Sequence, residues 1–278
     1  MPSKKTKEFI LTNENYYDED RPHVSNSMIS TYLKSPALYE GRYITKTVER
    51  IKTTNPMKKG LIVDHILTQP DEFPFERKTL KKDDPEAYER QKDMNDRFLA
   101  PPAIYDEATE IAQGFIEQPF WQDGLEEAQF QLVLEGTIDD VLVCGLPDRV
   151  DRTGEQHWRI TDVKVVAPRK MQSPAAWYRN AKEMGYLRQA AMYRQLFADM
   201  QGVPVENVTF TFAVGSRPDK GFVDIRLFDV PPHLMDMAML EIREALDGIK
   251  KKRFQKKLLT WKDSVYISAP DAPGVLKD

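Results

Sequence analysis

The sequence predicts an α+β fold, a sandwich of helices around a central mixed β-sheet, and three observations carry that expectation. Apolar residues recur at helical spacing near both ends of the 278-residue chain. Their period switches to two across the middle, and a further helical stretch separates those strands from two more. Apolar residues make up 41% of the chain and charged residues 30%, enough for a sizeable core beneath a well-solvated surface.

Residues 1–24 are polar and read as an N-terminal arm. Ser25 or Ser27 can cap a helix bearing Met28, Ile29, Tyr32 and Leu33. Ser35-Pro36 then stops it and opens another, with serine as cap and proline in the first turn. Leu61, Ile62, His65 and Ile66, following Gly60, form the apolar side of a short helix. Residues 83–118 are charged and read as two helical pieces broken at Pro101-Pro102. Phe130, Leu132 and Leu134 then alternate as in a strand, and further runs cover 141–151 and 157–166, so the three together suggest an antiparallel meander. A long helix over about 174–200 carries Tyr186, Ala190, Tyr193, Phe197 and Met200 on one side. Two strands follow, through Val208, Phe210, Phe212 and Val214 and through Val223, Ile225 and Leu227, and a last helix covers about 232–252. Pro270, Pro273 and Gly274 leave 256–278 as a C-terminal tail, so one domain is expected over 25–255.

Composition excludes several chemistries. With a single cysteine, Cys144, the chain has no intrachain disulfide, no all-cysteine zinc site and no four-cysteine iron–sulfur cluster. No apolar stretch approaches the ~18 residues of a membrane span, and no signal-peptide core follows the first basic residues, so a cytoplasmic protein without a membrane partner is expected. The formal charge of −4 argues against a uniformly basic DNA-coating surface. It still allows a local patch: Lys250, Lys251, Lys252, Arg253, Lys256 and Lys257, with Lys262 beyond.

The candidate chemistry lies in the middle strands. Trp158, Ile160, Asp162, Lys164 and Val166 are spaced by two and share a face. A carboxylate and an amine on an apolar face are costly to desolvate unless paired. Asp148 lies fourteen positions before Asp162, with the turn candidate Thr153-Gly154-Glu155 between them. A hairpin centred near Glu155 sets Asp148 across from Asp162 or on the diagonal, which brings two carboxylates and a lysine together. Like charges so close raise each other's pKa unless a cation intervenes, and hard oxygen donors suit Mg²⁺ or Mn²⁺.

Those residues resemble a known family. Pro147-Asp148 followed by Asp162-Val163-Lys164 matches the PD-(D/E)XK nuclease signature, and Gly145-Leu146-Pro147-Asp148-Arg149-Val150-Asp151 is similar to the G-x-x-D-R-x-D form of RecB-like exonucleases. His65, in the segment starting Lys59-Gly60, sits where that branch has its upstream helix histidine, and Gln189 with Tyr193 reproduces its Q-x-x-x-Y motif. The segment Val24 to Met28 with Ser35-Pro36-Ala37, and the tract His65 to Phe73, resemble the nuclease domain of RecE-type exodeoxyribonuclease VIII. The lack of four cysteines sets the chain apart from the iron–sulfur branches, and no phosphate-binding loop of a helicase motor is present.

The resemblance implies a restriction-endonuclease-like core in which Asp148, Asp162 and the Val163 carbonyl hold two Mg²⁺ or Mn²⁺ ions, with His65 a further ligand. Lys164 is expected to position or deprotonate the attacking water, its pKa lowered by adjacent cations and partial burial. Gln189 and Tyr193 shape the DNA or metal site. The implied activity is exonucleolytic digestion of linear double-stranded DNA ends, 5′ to 3′. The product is a 3′ single strand for a RecT-like annealing partner in phage or prophage recombination, and the enzyme is a ring-forming homo-oligomer. Lys251 and Arg253 of the basic cluster, with Lys58, Lys59, Lys81 and Lys82, are the expected DNA contacts. The competing readings are a non-catalytic DNA-end-binding module and an accessory nuclease subunit of a larger repair complex. Asp64 and Asp151 read as helix-surface and turn residues, His23, His157 and His233 as structural, and Cys144 as a buried small hydrophobe.

Overall fold

The computed structural model describes residues 10–18, 20–49 and 52–254. In chain order the strands are β1 (Val24–Ser25), β2 (Glu76–Arg77), β3 (Leu99–Ala100), β4 (Gln129–Phe130), β5 (Leu134–Ile138), β6 (Val141–Gly145), β7 (Arg149–Gly154), β8 (His157–Val165), β9 (Val208–Asp219) and β10 (Phe222–Asp229). The helices are α1 (Asn26–Lys34), α2 (Pro36–Tyr39), α3 (Asn55–Thr68), α4 (Pro85–Gln91), α5 (Pro102–Ile116), α6 (Pro119–Gln122), α7 (Pro174–Met184), α8 (Tyr186–Gln201) and α9 (Pro232–Lys250). None of the helices is long and apolar enough to cross a membrane, among the described residues.

Alternation in β7 to β10 builds the main sheet, in the order β10-β9-β8-β7-β4, with β8 and β9 parallel and the other pairs antiparallel. Each buried strand must be covered on both faces. Helices α7, α8 and α9 cover one face through Trp177, Phe197 and Ile242, packed with Ile160 and Phe212. Helices α3 and α5 cover the other through Ile62, Ile111 and Phe115, packed with Val163 and Ala213. A smaller sheet, β1-β6-β5, joins the α8 side through Val24, Leu134 and Val143. The mixed sheet between helices is the architecture that the change of period predicts.

Ser35 ends α1 and caps α2, its Oγ accepting from Leu38 N at 3.2 Å, as its place before Pro36 implies. Three boundaries differ from the expectation. The run 141–151 is not one strand: the chain leaves β6 at Gly145 and enters the main sheet at Arg149. Pro147 lies in that gap and has no N–H to continue a ladder. The meander is therefore two hairpins in separate sheets, β5 with β6 and β7 with β8. The long helix over 174–200 breaks at Gly185, which adopts φ of 74° and starts α8 on a new axis. Its apolar spacing runs on through the glycine, so periodicity alone hides the break. Finally, the gap between α4 and α5 is wider than the two prolines require, because Leu99 and Ala100 pair with Glu76 and Arg77.

Within the expected N-terminal arm, Leu11 and Tyr16 are buried and cluster with Cys144, against Val133 and Leu146. Cys144 is wholly buried, as a small hydrophobe is. His23 is buried as well, its Nε2 lying 2.7 Å from Glu135 Oε1.

Arg149 fastens the edge of the main sheet. Its side chain is buried, its Nε donates to Asp151 Oδ1 at 2.7 Å, and its terminal nitrogens donate to the Trp121 and Asp123 carbonyls. The guanidinium also lies 5.1 Å from the Trp121 ring centroid. Asp151 is accordingly a buried partner of Arg149 and Arg159, not a turn residue. Arg149→Ala leaves those carbonyls and Asp151 without their donor, and is expected to lower the unfolding free energy by about 3–5 kcal/mol. Urea denaturation measures this, and a loss below about 1 kcal/mol contradicts the assignment.

Candidate functional site

The β7–β8 ladder pairs Arg149 with Thr161 and Val150 with Ile160. One residue further, the same register sets Asp148 opposite Asp162. Asp148 precedes β7, in the gap opened by Pro147, and accepts a hydrogen bond from Val163 N at 2.6 Å on Oδ2. Asp162 is buried, and both its oxygens are engaged. Oδ1 accepts from Gln189 Nε2 at 2.8 Å, and Oδ2 is paired with the Lys164 ammonium. The period-two spacing of Asp162 and Lys164 puts both on the face of β8 toward α8, where Gln189 waits one turn after Gly185.

Tyr193 lies four residues after Gln189, so the two share a face of α8. Gln189 Nε2 also lies 3.2 Å from the Tyr193 hydroxyl. Burial raises the pKa of that hydroxyl, and the Leu146 backbone, in the loop carrying Asp148, opposes the rise. The Tyr193 ring passes directly over Gly145, at a place where a Cβ would collide with it. The Q-x-x-x-Y pair therefore ties Asp162 to the Asp148 loop from one helix.

Helix α3 supplies a third carboxylate that the sequence reading left on the surface. Asp64 is half-buried, and its Oδ1 accepts from Gln131 Nε2 at 3.0 Å. Gln131 also donates its backbone N–H to the Asp148 carbonyl at 3.3 Å, so one residue links Asp64 to the Asp148 loop. It does so from a left-handed backbone, φ of 49°, rare for a residue with a side chain. Neither residue carried a motif. In a helix, residues 64 and 65 differ by about 100° in direction, and apolar spacing favoured His65. His65 Nδ1 lies 3.0 Å from the Leu61 carbonyl, which can only accept, so Nδ1 donates there. The His65 ring meets Phe75 edge to face at 5.2 Å.

Electrostatics follow from that crowding. Burial, then the charges of Asp162 and Asp64, push the Asp148 carboxyl well above the usual range. Burial also raises Asp162, against the opposing pull of Lys164. Asp64 is raised by burial, an effect that neighbouring His65 offsets and Asp162 reinforces. Burial alone would lower Lys164, but Asp162 and Asp148 outweigh it and hold the ammonium above its ordinary value. The lowering expected from the sequence depended on adjacent cations; here the nearest charges are carboxylates, and they favour the protonated amine.

No group of three His, Cys, Asp or Glu side chains stands close enough to hold a metal ion unaided, among the described residues. The donor set nevertheless suits a hard divalent cation. Buried carboxylates that repel each other gain from one, and such ions take their remaining ligands from water and phosphate. A cavity of about 560 Å³ lies elsewhere, lined by Thr161, Arg194 and Asp229.

The basic residues divide. Lys58 is buried and donates to the Asp96 and Leu99 carbonyls, so it holds α3 to the β3 region and does not face DNA. Lys59 pairs with Glu107 at 2.7 Å. Lys251 and Arg253 are exposed, and both pair with Asp247, while Lys250 pairs with Asp140. Lys256, Lys257 and Lys262 lie outside the described residues.

A family model described as the PD-(D/E)XK nuclease superfamily matches residues 23–257. No curated protein matches the chain. Among solved structures, the fold is similar to that of a Eubacterium rectale protein provisionally assigned as an exonuclease. The TM-score is 0.65 and the identity 19%, over 88% of this chain and 87% of that one. Another structure, of SSO0001, aligns over 80% of this chain and 84% of its own with a TM-score of 0.31 and 8% identity.

The crowding of carboxylates has a measurable consequence. A carboxyl whose pKa is higher folded than unfolded costs stability once it ionises, so removing the charge removes the cost. Asp148→Asn keeps an acceptor for Val163 N and is expected to stabilise the metal-free protein by about 0.5–2 kcal/mol, while abolishing any stabilisation by Mg²⁺. Thermal unfolding with and without Mg²⁺ reads both effects, and a lowered midpoint without metal contradicts the electrostatic account.

Proposed function

Because the chain belongs to the PD-(D/E)XK nuclease superfamily, we propose that it is a metal-dependent exonuclease acting on the ends of linear double-stranded DNA. The observation that carries this reading is Asp148 opposite Asp162, with the Lys164 ammonium on Asp162. Two hard carboxylates and an amine in one notch are the groups that phosphodiester hydrolysis needs.

Asp148, Asp162 and the Val163 carbonyl are the proposed ligands of Mg²⁺ or Mn²⁺, two ions per site, with His65 and Asp64 contributed by α3. Bound there, such ions supply a water of lowered pKa and countercharge for the scissile phosphate. The protein's own groups do the rest. Gln189 and Val163 N orient the two carboxylates, and Tyr193 fixes Gln189 and the Asp148 loop together. Lys164, held beside Asp162, would aim its ammonium at the attacking water or the phosphate.

The finer reading rests on the RecE-type motifs: digestion 5′ to 3′ by a ring-shaped homo-oligomer in the cytoplasm, leaving a 3′ strand for a RecT-like annealing protein in phage or prophage recombination. The similar fold of the provisionally assigned exonuclease supports exonucleolytic action in particular. Lys251 and Arg253 remain proposed phosphate contacts, and they would exchange Asp247 for DNA.

Linear duplex labelled at the 5′ or the 3′ end tests the reading directly. With Mg²⁺ the 5′ label is released first, while closed circular DNA and a chelated reaction stay intact. Asp162→Asn lowers the rate by at least about 100-fold without changing the fold by circular dichroism. Lys164→Ala keeps Mg²⁺ affinity in calorimetry and loses turnover. Undiminished digestion by Asp162→Asn removes that residue from the site, and uncut linear DNA under every divalent ion ends the nuclease assignment.

A further inference from the structure

We propose that Tyr186 is a positioning residue for Lys164, its ring face forming a second seat that keeps the ammonium in the site when Asp162 is engaged by a metal. The inference rests on the nuclease reading and deepens it. Lys164 Nζ lies 4.9 Å from the Tyr186 ring centroid while it pairs with Asp162. A cation within about 6 Å of an aromatic face is attracted by the ring quadrupole, and more strongly where water is excluded. Only 16% of the Lys164 side chain is exposed.

The ring does not depend on Lys164 for its place. Gly185 breaks the helix immediately before it, and Tyr186 begins α8 stacked on Trp177 at 6.0 Å and 26°. Trp177 stacks in turn on Phe228 at 5.3 Å and 21°, and Phe212 closes on both Trp177 and Tyr186. The result is a column of three aromatic rings whose free end faces an ammonium. Trp177 is wholly buried, yet its Nε1 finds no acceptor among the described residues. A phenylalanine would avoid that unpaired donor, so what the position retains is the broad indole face beneath Tyr186.

A second seat answers a conflict built into the site. Both Asp162 oxygens are already taken, by Gln189 and by Lys164. A divalent ion on Asp162 competes with these donors for the carboxylate, and it repels the ammonium in particular. Without another partner the flexible lysine stem would carry the charge out to solvent. With the Tyr186 face beside it, the amine exchanges one partner for the other and stays next to the attacked phosphate. No covalent bond changes.

Tyr186→Leu and Tyr186→Phe test this against each other. In single-turnover digestion of linear duplex with Mg²⁺, Tyr186→Leu is expected to slow the reaction about 2- to 30-fold, with KM and calorimetric Mg²⁺ affinity moved by less than about twofold. Tyr186→Phe keeps a ring face and recovers most of the rate. Equal losses in both variants, or a parallel loss of Mg²⁺ affinity, overturn the assignment. A second readout does not need turnover. With ¹³C-labelled lysine, and Lys164→Arg for assignment, the Lys164 ε-methylene of the unmodified protein is expected upfield through the ring current, and to remain so at saturating Mg²⁺. Its return to an ordinary shift on Mg²⁺ addition overturns the second seat, whether or not DNA is cut. A protein that cuts no DNA but keeps the upfield signal would sink the nuclease reading and leave the Tyr186 seat standing.

Discussion

Two carboxylates that repel each other, Asp148 and Asp162, are set at opposing register positions of the β7–β8 hairpin, and one ammonium makes that arrangement tolerable. Most of the surrounding structure follows from keeping it in place. Val163 N–H holds one carboxylate and Gln189 the other, while Lys164 supplies the positive charge. Each partner is delivered by a rigid element: β8 carries Asp162, Val163 and Lys164 in succession, and α8 carries Gln189 and Tyr193 one turn apart. A site on strands and helices holds its geometry more closely than one on loops, which matters when reacting groups must be aligned to fractions of an ångström.

The notch is also a place where stability is given up. Carboxyls raised by burial and mutual repulsion would be relieved by neutral replacements, a pattern typical of sites built to receive a cation. The strained backbone of Gln131 and the unpaired Trp177 indole belong to the same account. Each is a local cost accepted beside the acids: one links Asp64 to the Asp148 loop, and the other supports the ring next to Lys164. Compensation comes from groups outside the chemistry. Arg149 and Asp151, although part of the same charged motif as Asp148, are buried against each other and against backbone carbonyls, and they hold the edge of the sheet.

Charge along the chain is a poor guide to what faces a ligand. Six cations near the end of α9 read as one patch, yet Lys251 and Arg253 share Asp247, a helix neighbour, and Lys250 reaches Asp140 in a distant turn. Lys58, equally charged in the sequence, is consumed by two backbone carbonyls inside the fold. Exposed pairs of this kind contribute little to stability, so the first group can exchange partners for a phosphate at small cost, whereas Lys58 cannot.

Local periodicity sufficed for much of this. Alternation marked β8 and β9, Ser35-Pro36 marked the α1–α2 corner, and an even separation between Asp148 and Asp162 determined that they would share a face, because strand side chains repeat every two residues wherever the strand lies. Three-dimensional packing decided the rest. The break at Gly185 left apolar spacing undisturbed, and Pro147 divided one apparent strand between two sheets, since pairing partners come from remote segments. That Asp64 would be tied to the Asp148 loop, and that carboxylates would hold the Lys164 ammonium, depended on neighbours brought from other elements. A residue's own spacing fixes its direction on a helix or strand, but its charge state and partners are set by whatever the tertiary fold places within a few ångströms of it.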